Sequence, residues 1–264
     1  MPDQLAQSIA DRLDTALRSA SSIPPIKDEL PVGDLDFAYA IQEVNTQRAL
    51  SEGRRLVGRK IGLTSPAVQR QLGVDQPDFG MLFDDMSVDE NGLVPAGKLI
   101  QPKVEAEIGF VLKSDLPHER MTISEVMSAI DYALPCLEIV DSRIADWKIS
   151  ILDTIADNAS SGLFVTGTDK VDISDLDLRL CGMVIELDGE PVSTGAGAAC
   201  LGNPLNAVKW LAETMVKTGR PLKAGDLVLS GALGPMYPAL PGQCFEARIS
   251  GLGSVRVNFE GTSA

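Results

Sequence analysis

Histidine is nearly missing from this chain: among 264 residues there is one, His118. A zinc centre of the usual two- or three-histidine kind cannot be assembled, and a Ser-His-Asp triad has a single residue to draw on. That residue lies in Leu116-Pro117-His118-Glu119-Arg120, a polar turn that predicts a solvated loop position. Cysteine is scarce too. Cys136, Cys181, Cys200 and Cys244 are widely spaced with no Cys-x-x-Cys pair. That excludes an obvious disulfide frame and predicts buried, reduced thiols in a cytoplasm. Basic residues are outnumbered, 23 against 37 acidic, for a net charge of −14. Such a chain repels phosphate backbones and anionic lipid, so neither nucleic acid nor a membrane surface is expected as partner. An anionic small substrate stays open, because a bound cation reverses the local field. No stretch approaches the ~20 apolar residues that cross a bilayer. Met1-Pro2-Asp3-Gln4 lacks the basic-then-apolar start of a signal peptide.

What is present reads as a globular α+β chain. Apolar residues make up 44% and charged residues 23%, enough for a sizeable core. Leu5, Ile9, Leu13 and Leu17 form a stripe at helical spacing, ended by Pro24-Pro25. Asp34 is placed to cap a second helix carrying Phe37, Ile41 and Val44, with Gly53 at its end. The period then changes. Residues 55–63 read as a strand, and Thr64-Ser65-Pro66 opens a short helix ending near Gly73. Further strands are predicted at 104–112, 134–141, 162–166, 179–187, 190–194, 227–230, 243–250 and 254–259, with a hairpin turn at Asp188-Gly189. Helices are predicted at 123–132, with Thr122 and Glu125 as a capping box, and from Asn203-Pro204 to before Gly219. Strands run in groups rather than alternating with helices, which is the α+β pattern. We read one domain over 1–264, with a helical part at 1–54 and a mostly β body at 55–264.

The sharpest chemical feature is Val104-Glu105-Ala106-Glu107-Ile108-Gly109-Phe110-Val111-Leu112. On a strand, Val104, Ala106, Ile108, Phe110 and Leu112 take the core face, and Glu105 and Glu107 share the other. Glutamate is a poor strand residue, and two carboxylates on one face repel unless something cationic lies between them. A hard ion such as Mg²⁺ or Mn²⁺ needs such oxygens; a solvated strand face uses the same residues. A third acid, Glu138, stands inside the apolar run Leu134–Val140. Buried glutamates are paired or metal-bound, so the competing reading is a salt bridge from Glu138 to Arg59 or Arg143. Lys60, between Gly58 and Gly62, shares their strand face, an open shelf where a lysine can bind a carboxylate or move a proton. The alternative is a surface lysine beside flexible glycines. Asp78 reads as a loop acid able to act as a base. The polar run Asp153–Gly162 either lines a pocket or makes side-chain-to-backbone turns. Gly195-Ala196-Gly197 has the wrong spacing for a dinucleotide fingerprint.

Taken together, Gly58–Ser65, Gly73–Gly80, Val104–Glu107, Leu137–Arg143 and Ala156–Gly162 resemble the hydratase/decarboxylase branch of the fumarylacetoacetase superfamily. The likeness continues through Ser230–Pro235 and Gly251–Val255, so it spans nearly the whole chain in order. It implies a fumarylacetoacetase C-terminal-like mixed β roll with a helical N-terminal part. It implies a Mg²⁺ or Mn²⁺ ion held by Glu105, Glu107 and Glu138, with Lys60 and Asp78 as catalytic residues. Lys60, Leu63, Ser160, Gly231 and Leu233 are implied to bind the substrate, and the chain to form homo-oligomers built on five-fold rings. Neighbouring pathway enzymes are further possible partners.

The activity this implies is metal-dependent hydration of a small 2-hydroxydienoate, 2-hydroxypenta-2,4-dienoate or a homologue. The sister activity is decarboxylation of 4-oxalocrotonate (2-oxo-3-hexenedioate) on the same frame. Arg59 before the lysine and Ala232-Leu233-Gly234-Pro235 in the late loop are nearer the hydratases. A regular strand would turn Arg59 away from Lys60. Leu233, Pro235 and Met236 are then expected to close the far end of the pocket with apolar groups. A non-catalytic partner subunit of a pathway enzyme is the reading from a different class; it gives Glu138 no reason to sit in an apolar strand.

Overall fold

The computed structural model describes residues 2–66, 69–70 and 74–261. Helix α1 spans Pro2–Ser19 and α2 spans Leu35–Ser51. The Asp34 carboxylate caps α2 by accepting from the Phe37 amide, as the sequence predicts. In α1 the buried face is Ala6, Ile9, Ala10, Leu13 and Ala16, whereas Leu5 and Leu17 are exposed. A strict four-residue step overshoots the helical turn by about 40°, so the ends of the predicted stripe drift off the core side. Pro66, Gln69 and Arg70 are helical; the expected end near Gly73 lies outside the described residues.

The body is built from strands β1 Leu56–Gly62, β2 Asp78–Phe83, β3 Ser87–Val88, β4 Leu93–Val94, β5 Lys103–Leu112, β6 Ile130–Val140, β7 Ser161–Thr166, β8 Gly182–Leu187, β9 Glu190–Ala196, β10 Leu227–Leu229, β11 Tyr237–Pro238, β12 Cys244–Ile249 and β13 Gly253–Phe259. Helices α3 Ile123–Ala129, α4 Ile151–Ala156 and α5 Pro204–Lys217 lie between them. Among the described residues one sheet runs β2-β1-β10-β5-β6-β7-β3, with β11 also on β5, and a second runs β4-β13-β12-β8-β9. Pairing is mixed: β1/β10, β3/β7 and β4/β13 are parallel and the other pairs antiparallel. Strands β12 and β13 pack across β6, and β8 packs across β5. The main apolar core fills the space between, with Phe110, Leu137, Ile139, Phe245 and Val257 fully buried. Helices α1 and α2 close a second cluster over α4.

Four expectations are corrected. The helix at 123 ends at Ala129, and a strand begins at Ile130 without a turn. Asp78 is the first residue of β2, not a loop acid. The Asp153–Gly162 run does make side-chain-to-backbone bonds, as from Ser161 to the Asn158 carbonyl, but its first part is helical rather than turn, in α4. Cys244 is only half-buried, whereas the other three thiols are buried; all four are free. His118 is exposed, as predicted.

Asp153 ties the helical part to the body. Its carboxylate accepts from the amides of Ile26 (2.7 Å) and Lys27 (3.0 Å), and from the amide (2.7 Å) and hydroxyl (2.6 Å) of Ser150. Removing a buried acceptor leaves its donors unpaired, at about 1–3 kcal/mol each. Only the Ile26 amide bond is fully buried, and water can reach the Lys27 and Ser150 donors, so Asp153→Ala should lower stability by about 1–3 kcal/mol, read as a lower urea midpoint at unchanged slope.

Candidate active site

Alternation on β5 buries Val104, Ala106, Ile108, Phe110 and Leu112 in the core, as the sequence predicts. Glu105 and Glu107 share the other face, and antiparallel pairing sets Glu105 directly opposite Glu138 on β6. One carboxylate oxygen from each of Glu105, Glu107 and Glu138 lies within 4.8 Å of the others. Glu107 and Glu138 are fully buried, while Glu105 keeps some exposure. Glu107 Oε2 accepts from the Gly231 amide at 2.8 Å. Glu107 Oε1 and both Glu138 oxygens are buried without a hydrogen bond.

Lys60 reaches this cluster from β1, with Nζ 3.0 Å from Glu138 Oε1. The contact is an ion pair outside hydrogen-bonding geometry, which is why that oxygen still lacks a directed donor. In the sheet, β10 and β5 separate β1 from β6. At about 4.8 Å per strand that is about 14 Å across a flat sheet, beyond a lysine's reach, so the sheet has to curl for the pair to form. The cation meeting Glu138 is thus Lys60, neither Arg59 nor Arg143. Arg59 points to the other face, 3.6 Å from Asp226. Arg143 pairs with Asp157.

Asp78 pairs in register with Gly62. A Cβ on Gly62 would collide with Asp78 Oδ1, and one on Gly58 with the Leu227 carbonyl. The glycines beside Lys60 therefore do not leave an open shelf; one space holds the Asp78 carboxylate and the other a neighbouring strand. Sequence reasoning missed Thr154 in α4. Its hydroxyl lies 3.1 Å from the Ser160 hydroxyl, close to Asp78. A polar residue on the buried side of a short helix was the available signal.

The remaining predicted site residues are placed as follows. Gly231 holds Glu107 through its amide; its φ of +98° and the crowding of a Cβ against Thr64 both require glycine. Leu63 ends β1 in a left-handed conformation at φ 55°. Leu233 is fully buried in the main apolar core, its amide donating to the Ala106 carbonyl. Pro235 and Met236, expected to help close the far end of the pocket, are exposed.

Four carboxyl groups surround one ammonium. Burial pushes Asp78 up to about 6, against the pull of Lys60. Burial and then Glu138 push Glu105 up to about 7. Burial, Glu138 and Glu105 hold Glu107 well above the usual carboxylate range. Burial alone would lower Lys60, but Glu138, Asp78, Glu105 and Glu107 together hold it above its ordinary value. The cluster lacks positive charge. Three converging carboxylates with unpartnered buried oxygens are a donor set for one hard divalent cation.

The chain is similar to several known proteins. The fumarylacetoacetate (FAA) hydrolase C-terminal family matches residues 64–260. The chain is 58% identical over 260 residues to a 2-keto-4-pentenoate hydratase of Paraburkholderia xenovorans (strain LB400), covering 98% of this chain and 97% of that protein. It is 43% identical over 258 residues to a 2-hydroxyhexa-2,4-dienoate hydratase of Comamonas testosteroni, covering 97% and 98%. Among solved structures, it superposes on a 4-oxalocrotonate decarboxylase from Pseudomonas putida G7, complexed with magnesium and adipate. That match has a TM-score of 0.92 and 37% identity, covering 98% of both chains. The N-terminal helices, the curled mixed sheet and these similarities along almost the full length lead to one assignment: the chain belongs to the fumarylacetoacetate hydrolase family.

Proposed function

We propose that this chain is a divalent-metal-dependent hydro-lyase. It adds water to 2-hydroxypenta-2,4-dienoate (2-keto-4-pentenoate) and yields 4-hydroxy-2-oxopentanoate, in the meta-cleavage degradation of aromatic compounds. The observation that carries the reaction class is the buried Glu105-Glu107-Glu138 cluster beside Lys60. The substrate follows from 58% identity to a 2-keto-4-pentenoate hydratase over 98% of this chain.

Glu105, Glu107 and Glu138 would hold Mg²⁺ or Mn²⁺, which supplies a Lewis acid for the substrate's carboxylate and 2-oxygen. The protein's own groups move the protons. The dienol gives up its hydroxyl proton and takes one at C5, forming an α,β-unsaturated 2-keto acid whose C4 is electrophilic. Water adds there, and C3 receives a proton. Lys60, held as an ammonium by four acids, is the donor in this reading. Asp78, pushed up to about 6, is the base that takes a proton from water. Homo-oligomer formation and a cytoplasmic setting rest on the family resemblance alone.

Decarboxylation of 2-oxo-3-hexenedioate is the second reading, favoured by the likeness to the 4-oxalocrotonate decarboxylase. Against it, a second carboxylate needs its own cation. Arg59 is committed to Asp226 on the opposite face, and an unpaired buried carboxylate costs several kcal/mol. Purified protein with Mg²⁺, assayed on both substrates, should hydrate the pentadienoate faster than it releases CO₂. EDTA should abolish turnover and Mg²⁺ or Mn²⁺ restore it. The opposite rate order makes it a decarboxylase; no turnover on either substrate leaves the partner-subunit reading.

Two variants separate the metal from the lysine. Glu107→Gln should lose divalent-ion binding by calorimetry, with activity that excess Mg²⁺ does not restore. Lys60→Met should bind the ion as tightly or more tightly, because it frees Glu138, while kcat falls by roughly 10²–10⁴-fold.

The raised carboxyl groups also set a pH dependence of stability. With their folded values above the unfolded ones, the native state binds more protons, so stability falls as pH rises through that interval. Without divalent ion, the melting temperature should drop between about pH 4 and pH 7, the span from the unperturbed carboxylates to Asp78 at about 6 and Glu105 at about 7. Saturating Mn²⁺ should flatten that drop, measured by calorimetry across the series.

A further inference from the structure

Between α4 and β7 the chain holds three successive non-glycine residues in the left-handed region: Asn158 (φ 54°), Ala159 (φ 52°) and Ser160 (φ 53°). Single left-handed residues are ordinary, but runs are not, since each places Cβ against the following carbonyl. Such a segment persists only where its surroundings over-determine it, and strain of this kind gathers at functional sites. Here one side chain, Arg143, spans both ends of the turn. The buried Arg143 guanidinium donates from Nε to Asp157 Oδ1 (2.5 Å) and from Nη2 to the Asp157 carbonyl (2.6 Å). Its Nη1 donates to the carbonyls of Asp141 (2.6 Å) and Ser161 (2.8 Å). Arg143 thus bonds the residues immediately before and after the left-handed turn. The Asp141 amide adds a bond to the Ser160 carbonyl at 2.9 Å.

The far side of the turn is fitted to β2. The Asn158 side chain accepts from the Met81 amide (2.7 Å) and donates to the Met81 carbonyl (3.0 Å). Gly80 leaves space for the turn, as a Cβ there would collide with the Asn158 carbonyl. The outcome is a pair of buried hydroxyls, Ser160 and Thr154, 3.1 Å apart and next to Asp78. One of their two protons is spent in the bond between them; the other proton and the free lone pairs remain to orient a water beside the base.

We infer that Arg143 is a positioning residue for the hydration step: it clamps the left-handed turn 158–160 so that the Ser160 and Thr154 hydroxyls hold the attacking water beside Asp78. This rests on the reading of Asp78 and Ser160 as site residues. The clamp sets the water's position, so Arg143→Lys acts on kcat more than on KM, whereas Ser160, which the resemblance also implies in substrate binding, bears on both.

Steady-state kinetics on Arg143→Lys, Ser160→Ala, Ala159→Gly and Arg143→Lys/Ala159→Gly test it, with folding followed by circular dichroism. Arg143→Lys should lower kcat by ~10²-fold, the scale of a misplacement of about 1 Å, with KM near the native value. Ala159→Gly alone is the reference against which the double variant is read. The double variant should recover part of the loss, because glycine adopts a positive φ without the Cβ penalty. A folded Arg143→Lys with native kcat overturns the inference, even if it melts at lower temperature. If Arg143→Lys does not fold, Asp157→Asn reads the same contact, and native kcat there also overturns it. Ser160→Ala keeps the two readings apart. Native kcat in Ser160→Ala removes Ser160 from the site; impaired Ser160→Ala with intact Arg143→Lys removes only the clamp.

Discussion

Lys60 carries its ammonium into a buried space that also holds Glu105, Glu107, Glu138 and Asp78. Charge in a low-dielectric interior is costly unless paired, and one cation cannot neutralise four acids. Much of the surrounding architecture accommodates this imbalance. The sheet curls until a lysine on β1 meets a glutamate two strands beyond its neighbour. Gly231 lends an amide to Glu107. Three of the acids converge closely enough for one divalent ion to share them. The same imbalance lifts the affinity of the buried carboxyls for protons and makes a metal the natural counter-charge.

The two halves of the site have different physical characters. The carboxylate half is fixed by sheet register, since Glu105 faces Glu138 across an antiparallel pair whose inner face is core. The neighbouring Ser160–Thr154 hydroxyl pair is set by a left-handed turn that Arg143, the Asp141 amide and the Asn158–Met81 bonds hold together. A register error would move every side chain of a strand to the wrong face, so the first half is held by the whole core. The second depends on a few directed hydrogen bonds, and small substitutions there act on geometry before they act on stability.

The legibility of the sequence divides along similar lines. Glu105 and Glu107 were readable because strand alternation is strictly local, and Glu138 because an acid in an apolar run stands out. Asp78 was misread as a loop acid. Strand β2 is buried along all six residues, so it shows no alternation, and Pro77 before it suggests a turn. Thr154 was readable only as part of the polar run 153–162, since helix α4 is only six residues long, and the left-handed turn was not readable, since no glycine marks its positive φ values.

The sequence by itself determined the strand faces of β5, the cap of α2, the hairpin at Asp188-Gly189 and the set of acids available for a cation. These follow from periodicity and side-chain chemistry within a few residues. The tertiary structure alone decided which cation meets Glu138. Lys60 is 78 positions away in the chain, and Arg143, only five away, is turned to Asp157. It also decided that Gly62 yields its space to Asp78 and that Ser160 meets Thr154. Such contacts depend on how far a sheet curls and where a turn is clamped, and both are set by packing between segments that carry no local record of one another.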